Sequence, residues 1–453
     1  MSTRGANEMS ARESLWMRRA GGPQILIALA LTNLIAYAMR NSLFTVYDDL
    51  RDLYGLRDAK LGLLSTVFLI PHAIATLPFG WAGDRYDRRR VIALGMLLAT
   101  VAGAAGALAR NETQLAISRA MLGLGTAAVV PVANSILGQL YEGPHKASRM
   151  AIFNLGLLFG GAAGFGVGAV AGFPTVVVVL ALPGIVVSLW LLALPVPAHP
   201  RTHDKLSIAR YFLQLGKLFV EESQQLLRIR TLRWLILSTT AMAFAAGGLV
   251  AWLIDFLERE KHMSEASATM LLGITSVAAV GGILVGGRLS DRLRQRVIAG
   301  RLWTIVLGMT FAVPCTIACL ELRAVSSFEP RTIAGVEFLV GHGVSPLYFL
   351  AGMANFFFFS WYHAPMAATV DDLAPRGQVV SAQGLVIFTM HLFGTASASY
   401  VVGLVSDHST LYQAMWVPAV ALVIAALAML VATRSFAGDH VRAQGGDAVN
   451  RSL

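Results

Sequence analysis

The chain has 453 residues, of which 56% are hydrophobic and only 14% charged, whereas a soluble domain carries about a quarter charged residues. Its mean hydropathy is +0.63, and apolar runs long enough to cross a bilayer recur throughout, which excludes a soluble enzyme and indicates a multi-pass membrane protein. The net charge of +10 then belongs to cytoplasmic loops rather than to a nucleic-acid surface.

Taken in order, residues 1–22 carry arginines but no cleavage signal follows the first apolar run, so they read as a cytoplasmic tail. Twelve helical spans are predicted. Six lie near 23–47, 60–82, 89–109, 113–140, 148–172 and 174–197, and six near 232–257, 265–289, 298–322, 345–370, 378–404 and 411–434. The expected fold is therefore an all-α membrane protein of two pseudo-symmetric six-helix bundles, 23–197 and 232–434. A polar segment, 198–231, joins them, and 435–453 forms a second cytoplasmic tail. Within the joining segment, IARYFLQLGKLFVEESQQLLRIR places apolar residues at helical spacing. Such a helix would lie on the membrane surface, or serve simply as a linker. Lysine and arginine crowd the loops after spans two, four, six and eight and are sparse in the others, which puts both termini inside. Cys315 and Cys319 lie four apart on one face of span nine; they read as packing groups, since a bridge within one helical turn is geometrically poor.

The polar residues inside spans carry the chemistry. Arg40 sits in IAYAMRNSLF with no acid beside it. It is about 17 residues beyond Pro23, roughly 25 Å up at 1.5 Å per residue; Arg119, about six residues into span four, lies roughly 9 Å below the outer end. Both are expected at similar depth in the outer half. A charge at mid-bilayer costs ~2.5–3.5 kcal/mol and should face a wet cavity or a partner. A guanidinium fork fits carboxylate, phosphate or sulfate, so the pair is a candidate anion site; the competing expectation is that Arg40 snorkels out to Asp48 and Asp49. Asn33, Tyr37 and Asn41 follow at i, i+4 and i+8 and form one polar stripe. Thr126 in span four, Trp252 in span seven and His391 in span eleven are further candidates for substrate contact. His363 is a second intramembrane histidine of that half, and Asp255 at the outer end of span seven is a candidate gate residue. Gly160, Gly161, Gly164 and Gly168 in span five are expected to let helix backbones approach closely. Metal-ligand spacing, a P-loop and a G-x-S-x-G elbow are absent, so no metal, cofactor or enzymatic activity is expected.

The loop after span two, GWAGDRYDRRR (Gly80–Arg90), is repeated after span eight as GGRLSDRLRQR (Gly286–Arg296). Both show glycine, a short gap, Asp-Arg and then basic residues, at matching places in the two halves. This pattern resembles the cytoplasmic signature loop of the major facilitator superfamily. The resemblance implies a secondary transporter with alternating access, and an inner gate of charge contacts in which Asp84, Arg85, Arg89, Asp291 and Arg292 would take part. A narrower resemblance, to the Spinster-like lipid transporters, rests on NLIAYAMRNSLFTVYDDLRDLYGLRDAKLGLLSTVFLI, on SRAMLGLGTAAVVPVANSILGQLYEGPHKASRM and on LAPRGQVVSAQGLVIFTMHLFGTASASYVVGLVSD. Where that branch usually carries acids, this chain has Met39, Thr126 and Thr395, so only weak dependence on a proton gradient is expected.

The resemblance implies that the solute is an amphipathic anion, a lysophospholipid or sphingoid-type lipid. A water-soluble organic anion, such as a sugar acid or organophosphate, and a non-transporting sensor or scramblase-like protein are the alternatives. The expected partners are that small molecule and membrane lipids, with no nucleic acid, in a monomer of the bacterial inner (plasma) membrane.

Overall fold

In the computed structural model, the described residues are 22–141, 146–195, 217, 221, 223–333, 336–374 and 379–449. The tail 1–21, most of the joining segment and more than half of its amphipathic stretch lie outside them. The chain divides into two compact units, Met1–Asp204 and Lys205–Leu453.

In the first unit, α1 (Gly22–Asn41) passes into a 3-10 turn, Ser42–Thr45, and a short helix α2 (Tyr47–Tyr54). Helix α2 starts with Asp48 and Asp49, which suit the positive end of its dipole, and stops at Gly55 in the left-handed region (φ 64°). Spans two and three are α3 (Asp58–Arg85) and α4 (Arg88–Ala105). Span four is split into α5 (Glu112–Thr126) and α6 (Val129–Leu140). Pro131 explains the break, because its ring would clash with the carbonyl four residues back, at Ala127. Spans five and six are α7 (Lys146–Ala171) and α8 (Thr175–Ala193).

The second unit contains α9 (Arg230–Arg259), α10 (Glu265–Arg296) and α11 (Gly300–Glu321). Span ten is α12 (Pro346–Phe359), a 3-10 turn at Ser360–Tyr362, and α13 (His363–Leu373). Span eleven is α14 (Val379–Thr389) and α15 (Ala396–His408), joined by a π-helical turn, Met390–Thr395. Span twelve is the short α16 (Leu411–Ala414) followed by α17 (Trp416–Val449), which runs past the predicted end at 434. Among the described residues, 11 stretches are long and apolar enough to cross a membrane, and the tenth span is not among them.

The loop between spans nine and ten is not irregular. It forms an antiparallel hairpin, β1 (Val325–Ile333) with β2 (Val336–Val344), in which Pro330 pairs with Leu339. A proline is tolerated there because each strand of a two-stranded ribbon has a free edge.

Close backbone approach fixes the helix register. A Cβ on Gly160 or Gly164 of α7 would come within 2.2 Å of the Leu34 carbonyl oxygen or 2.4 Å of that of Ala38, so α7 lies directly on the backbone of α1. One contact recurs in each unit with the roles of the helices exchanged. In the first, Gly123 of span four meets the Phe68 carbonyl of span two; in the second, Gly282 of span eight meets the Phe357 carbonyl of span ten. A Cβ at either glycine would approach within 2.1 Å.

Candidate functional site

The end of α1 builds the site. A helix that stops leaves its last carbonyls without helical donors, and the negative end of its dipole favours a cation. Arg119 of α5 supplies both. Its Nη1 donates to the Met39 carbonyl at 3.1 Å and its Nη2 to the Arg40 carbonyl at 3.2 Å. The side chain is only 5% exposed, and its Nε has no hydrogen-bond partner among the described residues. Arg119 is therefore first a clasp on the break in span one.

Arg40 is held differently. Its guanidinium makes neither an ion pair nor a hydrogen bond among the described residues; it lies over the Tyr37 ring at 5.8 Å and the Phe68 ring at 5.9 Å. The outer acids are engaged elsewhere. Asp48 accepts from Arg51 Nη1 at 2.5 Å, and Asp49 accepts from the Phe173 amide at 2.6 Å. Arg40 thus stays within the bundle instead of reaching Asp48 or Asp49.

Phe68 organises the cluster. Its ring also lies 5.2 Å from the Arg119 guanidinium carbon and stacks on His72 at 5.7 Å and 18°. Cation–π contacts of this kind contribute about 0.5–1 kcal/mol when exposed and ~2 kcal/mol when dry. The Gly123 contact described above lets α5 approach Phe68 this closely. His72 faces the end of α5, with Nδ1 at 3.1 Å from Thr126 Oγ1 and 3.2 Å from the Gly123 carbonyl. Asn33, Tyr37, Arg40, Phe68, His72 and Thr126 line one cleft of about 20 Å³, room for a single water-sized polar group. Asn33 spans to α7 by donating to the Phe153 carbonyl at 3.0 Å, and its Oδ1 is buried without a partner among the described residues. Asn41 is half-buried beside Gly161 of α7.

The second unit holds an apolar chamber of about 260 Å³, whose lining includes Leu253, Phe256, Phe356, Phe359 and Tyr348. Its few polar walls are largely satisfied: Asn355 Nδ2 donates to Thr316 Oγ1 at 2.5 Å and to the Ala312 carbonyl at 3.3 Å. Trp252 does not line it. Its side chain is fully buried and its indole donates to the Ser399 carbonyl at 3.0 Å, which makes it a packing post between spans seven and eleven. His391 sits in the π turn, with its side chain exposed.

Of the candidate gate residues, the side chains of Asp84 and Arg85 lie outside what is described. Arg89 is engaged within its own half: Nη2 lies 3.3 Å from Asp87 Oδ2 and Nη1 donates to the Leu194 carbonyl at 3.4 Å, while its buried Nε has no partner among the described residues. Asp291 and Arg292 are exposed. Asp255 is buried and bonded to Arg259, one turn on, at 3.1 Å. The acidic hub at the inner end of the second unit is instead Asp372, which binds Arg301 and lies 3.9 Å from Arg294 Nε.

Sequence reasoning missed Phe68 and His72. An aromatic side chain in an apolar span reads as packing. His72, in FLIPHAIATL, could have been found by treating every ionisable group inside a span as a functional candidate.

The family profile of the Major Facilitator Superfamily matches residues 29–328. Among curated proteins, the chain is 26% identical over 405 residues to "Protein spinster homolog 3" of Danio rerio, covering 85% of this chain and 77% of that one. It is 24% identical over 417 residues to the "Sphingosine-1-phosphate transporter SPNS2" of Mus musculus, covering 86% and 71%. Among solved structures, it superposes on a bacterial homolog of the human lysosomal transporter Spinster, in an inward-facing and occupied conformation, with a TM-score of 0.75. That match has 19% identity and covers 93% of this chain and 98% of the other.

Proposed function

The chain belongs to the major facilitator superfamily, a multi-pass membrane transporter, and from that premise we propose that it moves an amphipathic anion, a single-chain lipid phosphate, by alternating access. The observation that carries this is Arg40. A guanidinium that stays charged lies inside a span, over two aromatic rings, with no acid paired to it among the described residues. The solute's headgroup supplies the missing charge, and a bidentate phosphate is the partner such a fork favours. Arg119 holds the backbone on which Arg40 stands; Asn33, Tyr37 and Thr126 give the cleft its remaining polar walls.

The apolar chamber of the second unit supports a lipid over a sugar acid, because a purely polar solute would have no use for it. Similarity to sphingosine-1-phosphate transporters supports the same class. The protein acts as a monomer without enzymatic activity, in a plasma membrane with both termini inside.

The test is ligand stabilisation of the purified protein. Sphingosine 1-phosphate and lysophosphatidate should raise the thermal midpoint, the stabilisation reaching about 2.7 kcal/mol at a hundredfold excess over Kd. Glucuronate and glycerol 3-phosphate should not. Stabilisation by the soluble anions alone would replace the lipid reading. Absence of counterflow in proteoliposomes, with binding intact, would favour a non-transporting sensor.

A further inference from the structure

We propose that Asn33 reads a hydroxyl group on the solute, on the carbon next to the one that bears the anionic group, by accepting a hydrogen bond from it at Oδ1. The inference rests on the anion-site reading above and adds to it a specificity-determining residue and a second functional group on the solute.

The orientation of the Asn33 amide is fixed by its partner. Phe153 of α7 presents a carbonyl at 3.0 Å, and a carbonyl can only accept, so the atom facing it is the amide nitrogen and not the oxygen. Oδ1 is left as an acceptor without a partner among the described residues, on a residue only 2% exposed. A buried acceptor left unmet is destabilising, and native structures rarely keep one. Thr126, another wall of the cleft, does not meet it, because its hydroxyl donates to the Leu122 and Gly123 carbonyls of its own helix at 3.0 Å.

Asn33, Tyr37 and Arg40 stand at i, i+4 and i+7 of α1, on one face, and all three line the cleft. Asn33 is its buried end, whereas Tyr37 and Arg40 are partly exposed. Helical side chains lean toward the N-terminus, so the Arg40 guanidinium, over the Tyr37 ring at 5.8 Å, lies on the side of Asn33. Its nitrogens only donate, and Oδ1 only accepts. A group placed between them must accept from one and donate to the other, which a hydroxyl does. The cleft, at about 20 Å³, admits one such group and is too small for a phosphate. The phosphate therefore meets Arg40 at the open end, while the hydroxyl of the neighbouring carbon enters. An ammonium donates to Oδ1 but cannot accept, and it sets a second cation beside Arg40 where none of the lining residues is acidic. The solute class is accordingly a single-chain phosphate with a free hydroxyl beside the headgroup.

A site that hydrogen-bonds a hydroxyl rejects the analogue lacking it, because its own polar group is then left unpaired. The probes are an alkyl-ether lysophosphatidate, the deoxy analogue with hydrogen in place of the glycerol hydroxyl, and the analogue with an amine there. Each is used below its micellar concentration, at one pH, with the full-length protein in nanodiscs. Calorimetry on the wild type should show the hydroxyl probe bound roughly tenfold tighter than either analogue. In Asn33→Leu, similar in size but without an acceptor, the affinities for the hydroxyl and deoxy probes should converge. If that variant does not fold, Asn33→Ser, which is smaller and stays polar, takes its place with the same expectation. Equal binding of the hydroxyl and deoxy probes by the wild type, tighter binding of the amine, or a preference that survives in the variant overturns the proposal. Arg40→Gln separates it from the underlying reading. If that variant binds the hydroxyl probe as tightly as the wild type does, the anion site itself is wrong. If it loses binding while the wild type holds the hydroxyl and deoxy probes equally, only the role of Asn33 fails.

Discussion

Arg40 and Arg119 lie over one ring but should fail in different ways when replaced. Arg119→Ala leaves the Met39 and Arg40 carbonyls without their donors inside the protein, and an unmet buried acceptor costs about 1–3 kcal/mol. Its thermal midpoint should fall and transport should be lost with it. Arg40→Ala deletes a charge that makes no hydrogen bond among the described residues, so its midpoint should hold or rise while stabilisation by lipid phosphate disappears. Fluorescence-detected melting of the two variants, with and without sphingosine 1-phosphate, separates these outcomes; identical behaviour would refute the division of roles. That the two arginines share one height was legible in the sequence, because helical rise converts residue count into height, and Arg119 does reach the Arg40 carbonyl. Their different employment was not. It depends on where α1 stops, and on Asp48 and Asp49 being engaged by Arg51 and the Phe173 amide. The Asp48–Arg51 pair is three residues apart and local, but the Asp49 partnership leaves no local signal, since Phe173 is 124 residues away.

Between helices, glycine decides what can approach. Gly164 faces the Ala38 backbone at 2.4 Å from an added Cβ, whereas Gly166, two residues on, has nothing within 4 Å. Gly164→Val should therefore force α7 off α1 and displace the segment carrying Arg40, at an overpacking cost of about 1–3 kcal/mol or more. Gly166→Ala should be neutral or slightly stabilising, as alanine is the better helix former. Melting temperatures of the pair provide the check, and equal effects would contradict the packing described. The small-residue run at 160–168 was legible as a contact face because its spacing is helical. Gly123 was not, since a lone glycine in GLGTAA says nothing about the Phe68 carbonyl opposite. The hairpin 325–344 was missed for a related reason: strand pairing joins distant residues, and the glycines and proline of that loop resemble ordinary turn composition.

At the scale of the whole molecule, orientation can be read with few mutations, since the chain has only 2 cysteines, Cys315 and Cys319, both within α11. In a background with both replaced by serine, a single cysteine at Asn111 should react with a membrane-impermeant maleimide in intact cells. One at Asp87 should react only after the membrane is opened, and the reverse pattern would invert the assigned topology. Span number and the duplicated halves were legible at this scale because hydropathy and the repeated loop are properties of long stretches. The unequal interiors, a tight polar cleft in one half and an apolar chamber in the other, were not, because each is lined from several spans. The exchanged phenylalanine and glycine contacts add a consequence for inheritance. Span two presents Phe68 to a glycine of span four, while span ten presents Phe357 to a glycine of span eight. The two halves thus keep the same junction with opposite ownership, so neither contributing helix is a spare part for its counterpart. A chimera that grafts span ten into the place of span four would set a phenylalanine against Phe68 with no glycine between them. Grafts should succeed only when both helices of a junction are transferred together.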